Sequence, residues 1–152
     1  MSKPNNEIST ETLLEKLFKT SSFNRFFNRH DDDMRRFPAF DKYISNMCEE
    51  KGVLTKDIIK KADIERTYGH QLFSGVRTPS RDKVLQLAFG FELSYEETQK
   101  LLLVARKSAL HPKVKRDAAI IFALEKKLDL IAVQSMLFEL EVPILGKERH
   151  YE

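Results

Sequence analysis

Cysteine is almost absent from this chain. Cys48 stands alone, so no intramolecular disulfide can staple the fold, and a reducing cytosol is the expected location. A lone thiol does not make a metal site, and His30, His70, His111 and His150 are scattered without ligand spacing. Of these histidines, His70 is a candidate base contact and the others read as surface residues. Tryptophan is missing, and five glycines with five prolines in 152 residues suggest few turns. No apolar run approaches the roughly 20 residues needed to span a bilayer, and the opening "MSKPNNEIST" lacks the apolar stretch of a secretion signal. No membrane partner is expected. A strong excess of one charge is lacking too: the formal net charge is +3, too small to imply nucleic acid by itself. There is no glycine-rich phosphate loop, no nucleophile beside a base and no coupled carboxylate pair, so neither an enzyme nor a cofactor is expected. The acidic run at 31–33 has no interleaved ligands or glycine and reads as a solvated linker rather than a calcium loop.

What remains is a soluble-type composition, 41% hydrophobic and 32% charged, with eleven phenylalanines that suggest a Phe-rich core. The apolar residues recur at helical spacing from end to end, and nothing reads as a sheet. Residues 9–20 open on Ser9 or Thr10 as a cap and place Leu13, Leu14, Leu17 and Phe18 on one stripe; Phe23, Phe26 and Phe27 continue the pattern. Pro38 disfavours helix at Phe37 and marks a boundary. Beyond it, Phe40, Tyr43, Ile44, Met47 and Cys48 form a stripe that Gly52 can end. Thr55 is placed to cap a short helix bearing Ile58, Ile59 and Ala62. Ser80 caps another that Gly90 is placed to end. Ser94 with Glu97 makes a capping box, Pro112 separates the next helix (about 114–127), and Asp129 caps the last before Pro143. Three segments follow: helices and linker at 1–37, a central domain at 38–110, and a helical hairpin at 111–152.

A self-similarity runs at an offset of 35 residues. "RDKVLQLAFGFELSYEETQKLL" (81–102) lies over "RDAAIIFALEKKLDLIAVQSML" (116–137), with six identities that include Arg81/Arg116, Asp82/Asp117 and Gln99/Gln134. The expectation is that the last two helices form a hairpin like the pair before it and pack alongside it.

The stretch "ERTYGHQLFSGVRTPSRDK" (65–83) is the most telling. Tyr68 and Leu72 share a face, while Arg66, Thr67, His70 and Gln71 point elsewhere, so a short helix carries a side made of donors and acceptors. With the preceding short helix and Ile64 plugging the turn, these are the ingredients of a helix that reads DNA. Residues 40–104 resemble the lambda-repressor-like, Cro/CI-type helix-turn-helix family. The likeness rests on "TKDIIKKADIERTYGHQLFSG", the "SGVRTPS" connection and the tail "LQLAFGFELSYEETQKLL". Beyond residue 37 the chain looks like bacterial proteins that join this domain to a C-terminal helical extension.

The resemblance implies an all-α, five-helix domain that binds double-stranded DNA and regulates transcription, with residues 65–74 as the recognition helix. Arg66 and Thr67 would face base edges, with His70 and Gln71 one turn on; arginine suits guanine and glutamine suits adenine. Thr55 and Lys56 would meet a phosphate, and Arg77 and Lys83 would add backbone contacts. Such domains commonly act as two-fold homodimers, and both the Phe-rich helices and the C-terminal hairpin are candidates for that contact. Departures from the family pattern carry their own expectations. Ile59 stands where a small residue is usual and Gly69 where a branched one is, a volume-conserving exchange that predicts Ile59 packed over Gly69. Asp63 replaces a turn glycine and is expected to be left-handed. Glu65 replaces the usual Ser or Thr cap; its charge suits the helix dipole but repels phosphate. Glu65 and Gly69 motivate the alternative, a domain of this shape that binds a protein as an adaptor or antitoxin-like partner. Two basic segments, 51–84 and 105–116, flank an acidic one. The second, with Arg106, Lys107, Lys113, Lys115 and Arg116, reads equally as a solvated face or a nucleic-acid contact.

Overall fold

The computed structural model describes residues 8–31 and 38–146, which form nine helices and no strand. Among the described residues no helix is long and apolar enough to cross a membrane. The chain divides into two compact units, Met1–Phe37 and Pro38–Glu152.

The first unit holds α1 (Thr10–Lys19) and α2 (Phe23–His30). Each begins at a serine whose hydroxyl accepts from an otherwise orphan amide: Ser9 from Thr12 N–H and Ser22 from Arg25 N–H. Phe26 and His30, one turn apart, are buried with ring centroids 4.7 Å apart. His30 is therefore not the surface residue the sequence suggests; its place above Phe26 on the inner stripe of α2 buries it. Phe18, Phe23 and Phe27 are exposed.

The second unit contains α3 (Phe40–Lys51), α4 (Thr55–Lys61), α5 (Arg66–Ser74), α6 (Arg81–Gly90), α7 (Tyr95–Val104), α8 (Lys115–Glu125) and α9 (Leu130–Glu139). Its centre is aliphatic rather than Phe-rich: Ile44, Leu72, Val84, Leu85, Leu87, Leu101, Leu102, Ile120, Val133 and Leu137 are all fully buried, and only Phe89 and Phe91 join them from the phenylalanines. Each such aliphatic side chain contributes roughly 1.5–3 kcal/mol of burial. α6 lies in the middle, buried along its whole apolar length, with α4, α7 and α9 packed on it. Ser80, Ser94 with Glu97, and Asp129 cap α6, α7 and α9 as expected, and Gly52 ends α3 at φ +64°.

One boundary expectation fails, and another holds for a different reason. Leu54, not Thr55, occupies the cap position of α4; Thr55 is already helical, and its hydroxyl lies 3.9 Å from Cys48 Sγ instead of on a free amide. Gly90 does not turn α6 out of its helix. It is the last helical residue, and a Cβ there would sit 2.9 Å from the Ile58 carbonyl oxygen and 3.1 Å from Ala62 Cβ. The missing side chain lets α4 press against α6.

Scarce glycine does not mean scarce turns. Asp63, Glu92, Arg106, Lys127 and Glu141 all take φ between +52° and +58°, each just past a helix end. In every case the next amide bonds back to a carbonyl five residues earlier: Ile64 to Ile59, Leu93 to Ala88, Lys107 to Leu102, Leu128 to Ala123, and Val142 to Leu137. This is the Schellman closure, and the apolar residue after most of these turns tucks under the helix it ends. A left-handed residue with a Cβ costs about 1–2 kcal/mol, which the recovered carbonyl bonds and the buried Ile64, Leu93 and half-buried Leu128 and Val142 offset.

The 35-residue likeness reaches the hydrogen bonds. Gln99 clasps Leu110 with both amide atoms, and Gln134 clasps Leu145 in the same way. Arg81 donates to the Ser108 and Ala109 carbonyls; Arg116 donates to those of Pro143 and Ile144. The acids then cross over. Arg81 forms a two-pronged pair with Asp117 (3.1 and 3.0 Å), and Arg116 forms one with Asp82 (3.0 and 2.9 Å). Asp117 also accepts from His111 N–H, and Asp82 from Gly146 N–H. α6 packs on α9 and α7 on α8. Each of these polar contacts between the copies has its reciprocal, the pattern of a two-fold, isologous interface closed within one chain.

Candidate nucleic-acid interface

α5 is seated on its inner side and open on its outer side. Leu72 is fully buried, and Gly69 lies against Ile59 as expected: a Cβ there would come within 2.5 Å of Ile59 Cγ2. Ser45 Oγ–H on α3 donates to the Phe73 carbonyl at 3.4 Å. Beyond Ser74 the left-handed Gly75 approaches Asp41, whose carboxylate leaves no room for a Cβ. The turn before α5 is locked from beneath by Gln86, 2% exposed, whose amide donates to the carbonyls of Ala62 (2.9 Å) and Asp63 (3.3 Å). Nothing in the sequence marks Gln86 out, because its partners lie more than twenty residues away; the one signal is a polar residue inside the apolar run of α6.

On the outer side Arg66, Thr67 and His70 are exposed, and their spacing puts them along one edge of the first two turns. Gln71 is half-buried, and its Oε1 accepts from Arg77 Nε–H at 3.0 Å. Arg77 also lies over the Tyr68 ring, 4.5 Å from its centroid, with Lys83 Nζ 5.5 Å from the same ring. Lys83 Nζ–H donates to Gln86 Oε1. Tyr68, Gln71, Arg77 and Lys83 thus form one cluster in which an aromatic face and an amide hold two cations. Thr55 and Lys56, on α4, are not part of it. Thr55 is turned towards Cys48, whose thiol burial pushes upward and keeps inert, while Lys56 is exposed.

Glu65 closes the N-terminus of α5. Its two carboxylate oxygens accept from Thr67 N–H (2.9 Å) and Tyr68 N–H (2.8 Å). Those bonds, with Arg77 nearby, hold its carboxyl below the ordinary glutamate range. Two of the first-turn amides are therefore occupied, and a phosphate near α5 would be met chiefly by side-chain cations. The basic stretch 105–116 loses Arg116, which is committed to Asp82 and two carbonyls; Arg106, Lys113 and Lys115 are exposed.

The second unit also holds a groove of about 1450 Å³ between α4, the α6–α7 turn and α9, lined by Leu54, Ile58, Phe89, Leu124, Leu130 and Ile131 among others. Its rim carries both signs of charge, with Lys60, Lys61 and Lys127 beside Asp57, Glu92 and Asp129. No group of three or more His, Cys, Asp or Glu placed to hold a metal ion occurs among the described residues. No protein-family model matches the chain, and searches of curated proteins and of solved structures found no similar one.

Proposed function

We propose that the second unit contains a lambda-repressor-like helix-turn-helix, α4–turn–α5, and that the protein is a sequence-specific regulator that lays α5 in the major groove of double-stranded DNA. The single observation that carries this reading is the two-sided character of α5. Gly69 and Leu72 anchor it, while Arg66, Thr67 and His70 are exposed and end in groups that can read base edges. Arg66 would take a guanine. Gln71, with its oxygen engaged by Arg77, would offer mainly its amide N–H groups. Arg77 and Lys83, held over Tyr68, and the exposed Lys56 would neutralise phosphates without reading sequence.

Selection of duplexes from a random library, followed by titration of the winner, tests this. Arg66→Ala should weaken binding to the selected site by about 1–3 kcal/mol, roughly 5- to 150-fold, and relax the preference at one base pair. Lys83→Gln should weaken all duplexes alike and flatten the salt dependence by about one unit of slope. No enrichment of any sequence, with Arg66→Ala indistinguishable from the parent, would refute the reading. The groove beside α4 favours a second reading, a module of the same shape that binds an apolar protein segment there. A stoichiometric protein partner recovered without DNA, and lost on Ile131→Asp, would support it over the first.

A further inference from the structure

We infer that the N-terminal unit carries an anion site, a cavity that takes a phosphate group. The corner between α1 and α2 forms an open concavity of about 300 Å³, lined by the exposed Lys16, Lys19, Arg25 and Arg29 and by Thr20, around a floor of Phe26 and His30. No carboxylate among the described residues lines it. Lys16 and Lys19 share a face of α1 at i, i+3, and Arg25 and Arg29 share an edge of α2 at i, i+4, so two cations come from each side. No side chain of the four has a hydrogen bond or ion pair with another described residue, whereas the arginines at the centre of the second unit each grip an acid in a fork.

The helix dipoles explain part of this pattern. Lys16, Lys19 and Arg29 lie in last turns, where a positive charge is favoured. The dipole does not require them to converge on one concavity, and Arg25 is not in a last turn. Four like charges gathered around one small cavity repel one another, the more so at low salt, where the Debye length exceeds about 10 Å. An anion removes that repulsion, and a tetrahedral phosphate offers enough acceptor oxygens for both guanidinium forks. The Phe26 and His30 rings at the floor are buried, which lowers the local dielectric on that side and strengthens such bonds. The phosphate is either a small free ion or one of a nucleic-acid backbone; the chemistry of the site is the same.

The full-length chain, labelled with nitrogen-15, is titrated by NMR with inorganic phosphate, with pyrophosphate and with a duplex, each against a chloride background. The expected result is saturable movement of the Thr20 amide, the Arg25 and Arg29 Nε–H signals and the His30 ring. Arg25→Gln and Arg29→Gln should each weaken it about tenfold or more. Lys126→Gln, in the other unit, removes the same charge and should change nothing. Movement with the free ions assigns the site to small phosphates; movement with the duplex alone assigns it to a nucleic-acid backbone. The inference does not rest on α5 reading DNA, so Arg66→Ala should leave the free-ion titrations unchanged. Signals that fail to move with all three probes, or an equal loss in Lys126→Gln, would overturn it.

Discussion

Consider what a single methyl group would do at Gly69. Glycine inside a helix costs about 1 kcal/mol relative to alanine, so on propensity alone Gly69→Ala should stabilise α5. The packing says otherwise. The new Cβ would lie 2.5 Å from Ile59 Cγ2, 2.8 Å from Cγ1 and 3.0 Å from Cδ1. The first two are bonded directly to the branched Cβ of a side chain only 3% exposed, so they cannot swing aside without moving α4. Overpacking of this kind costs about 1–3 kcal/mol, which exceeds the propensity gain and leaves Gly69→Ala destabilised by up to about 2 kcal/mol. Ile59→Ala alone should cost about 2–5 kcal/mol through lost burial and the cavity left behind. In the double variant the clash is gone and the propensity gain survives, so it should be more stable than Ile59→Ala by about 1 kcal/mol. A urea-denaturation cycle of the four proteins should therefore show a coupling of about 1–3 kcal/mol at unchanged m. Two results would sink the reasoning: effects that add to within about 0.5 kcal/mol, or a Gly69→Ala midpoint above the parent's.

Three further expectations follow from the same packing. Arg81→Ala and Arg116→Ala should destabilise by similar amounts, about 2–4 kcal/mol, because each leaves a largely buried aspartate without its cation; denaturation midpoints that differ widely would contradict the two-fold equivalence. Gln86→Leu should cost about 1–3 kcal/mol by orphaning the Ala62 and Asp63 carbonyls, and amide exchange should speed up at Ile64 and the start of α5 rather than globally. Glu65 and Glu97 both titrate below the ordinary glutamate value in the folded chain, Glu97 because it accepts from the Ser94 amide. The stability they confer is thus present above the unfolded pKa and lost as pH falls through the lower folded one. Denaturation midpoints followed from pH 6 to pH 3 should fall less steeply in Glu65→Gln and Glu97→Gln than in the parent. If α5 enters a groove, Glu65→Gln should also tighten duplex binding at low salt.

Local signals were the legible ones. Ser80, Ser94 with Glu97 and Asp129 announce their helices because a cap and the amide it serves lie within three residues. The seating of Ile59 on Gly69 and the left-handed Asp63 were readable too, since each breaks a pattern in one visible way. What stayed hidden depends on distant partners. The identities of Arg81 with Arg116 and Asp82 with Asp117 are plain in the sequence, but the exchange of acids between copies is not, because it is fixed by how two hairpins meet. Gly90 read as a stop signal because glycine commonly ends helices; here the close approach of α4 claims it instead. Turns at Glu92, Arg106, Lys127 and Glu141 left no glycine to see. In the candidate interface, the exposure of Arg66, Thr67 and His70 follows from spacing, whereas the stacking of Arg77 on Tyr68 and its bond to Gln71 depend on a loop whose path the sequence does not dictate.

The crossed arginine–aspartate seam has a kinetic consequence. Two separate molecules would have to find such a mating surface by collision, at a rate set by how much protein is present. Here a tether running from Val104 to Lys115 keeps the halves permanently within reach, at an effective concentration on the order of millimolar. The seam closes as readily in a dilute cell as in a concentrated tube. Any self-association of this protein must therefore be sought on its other faces.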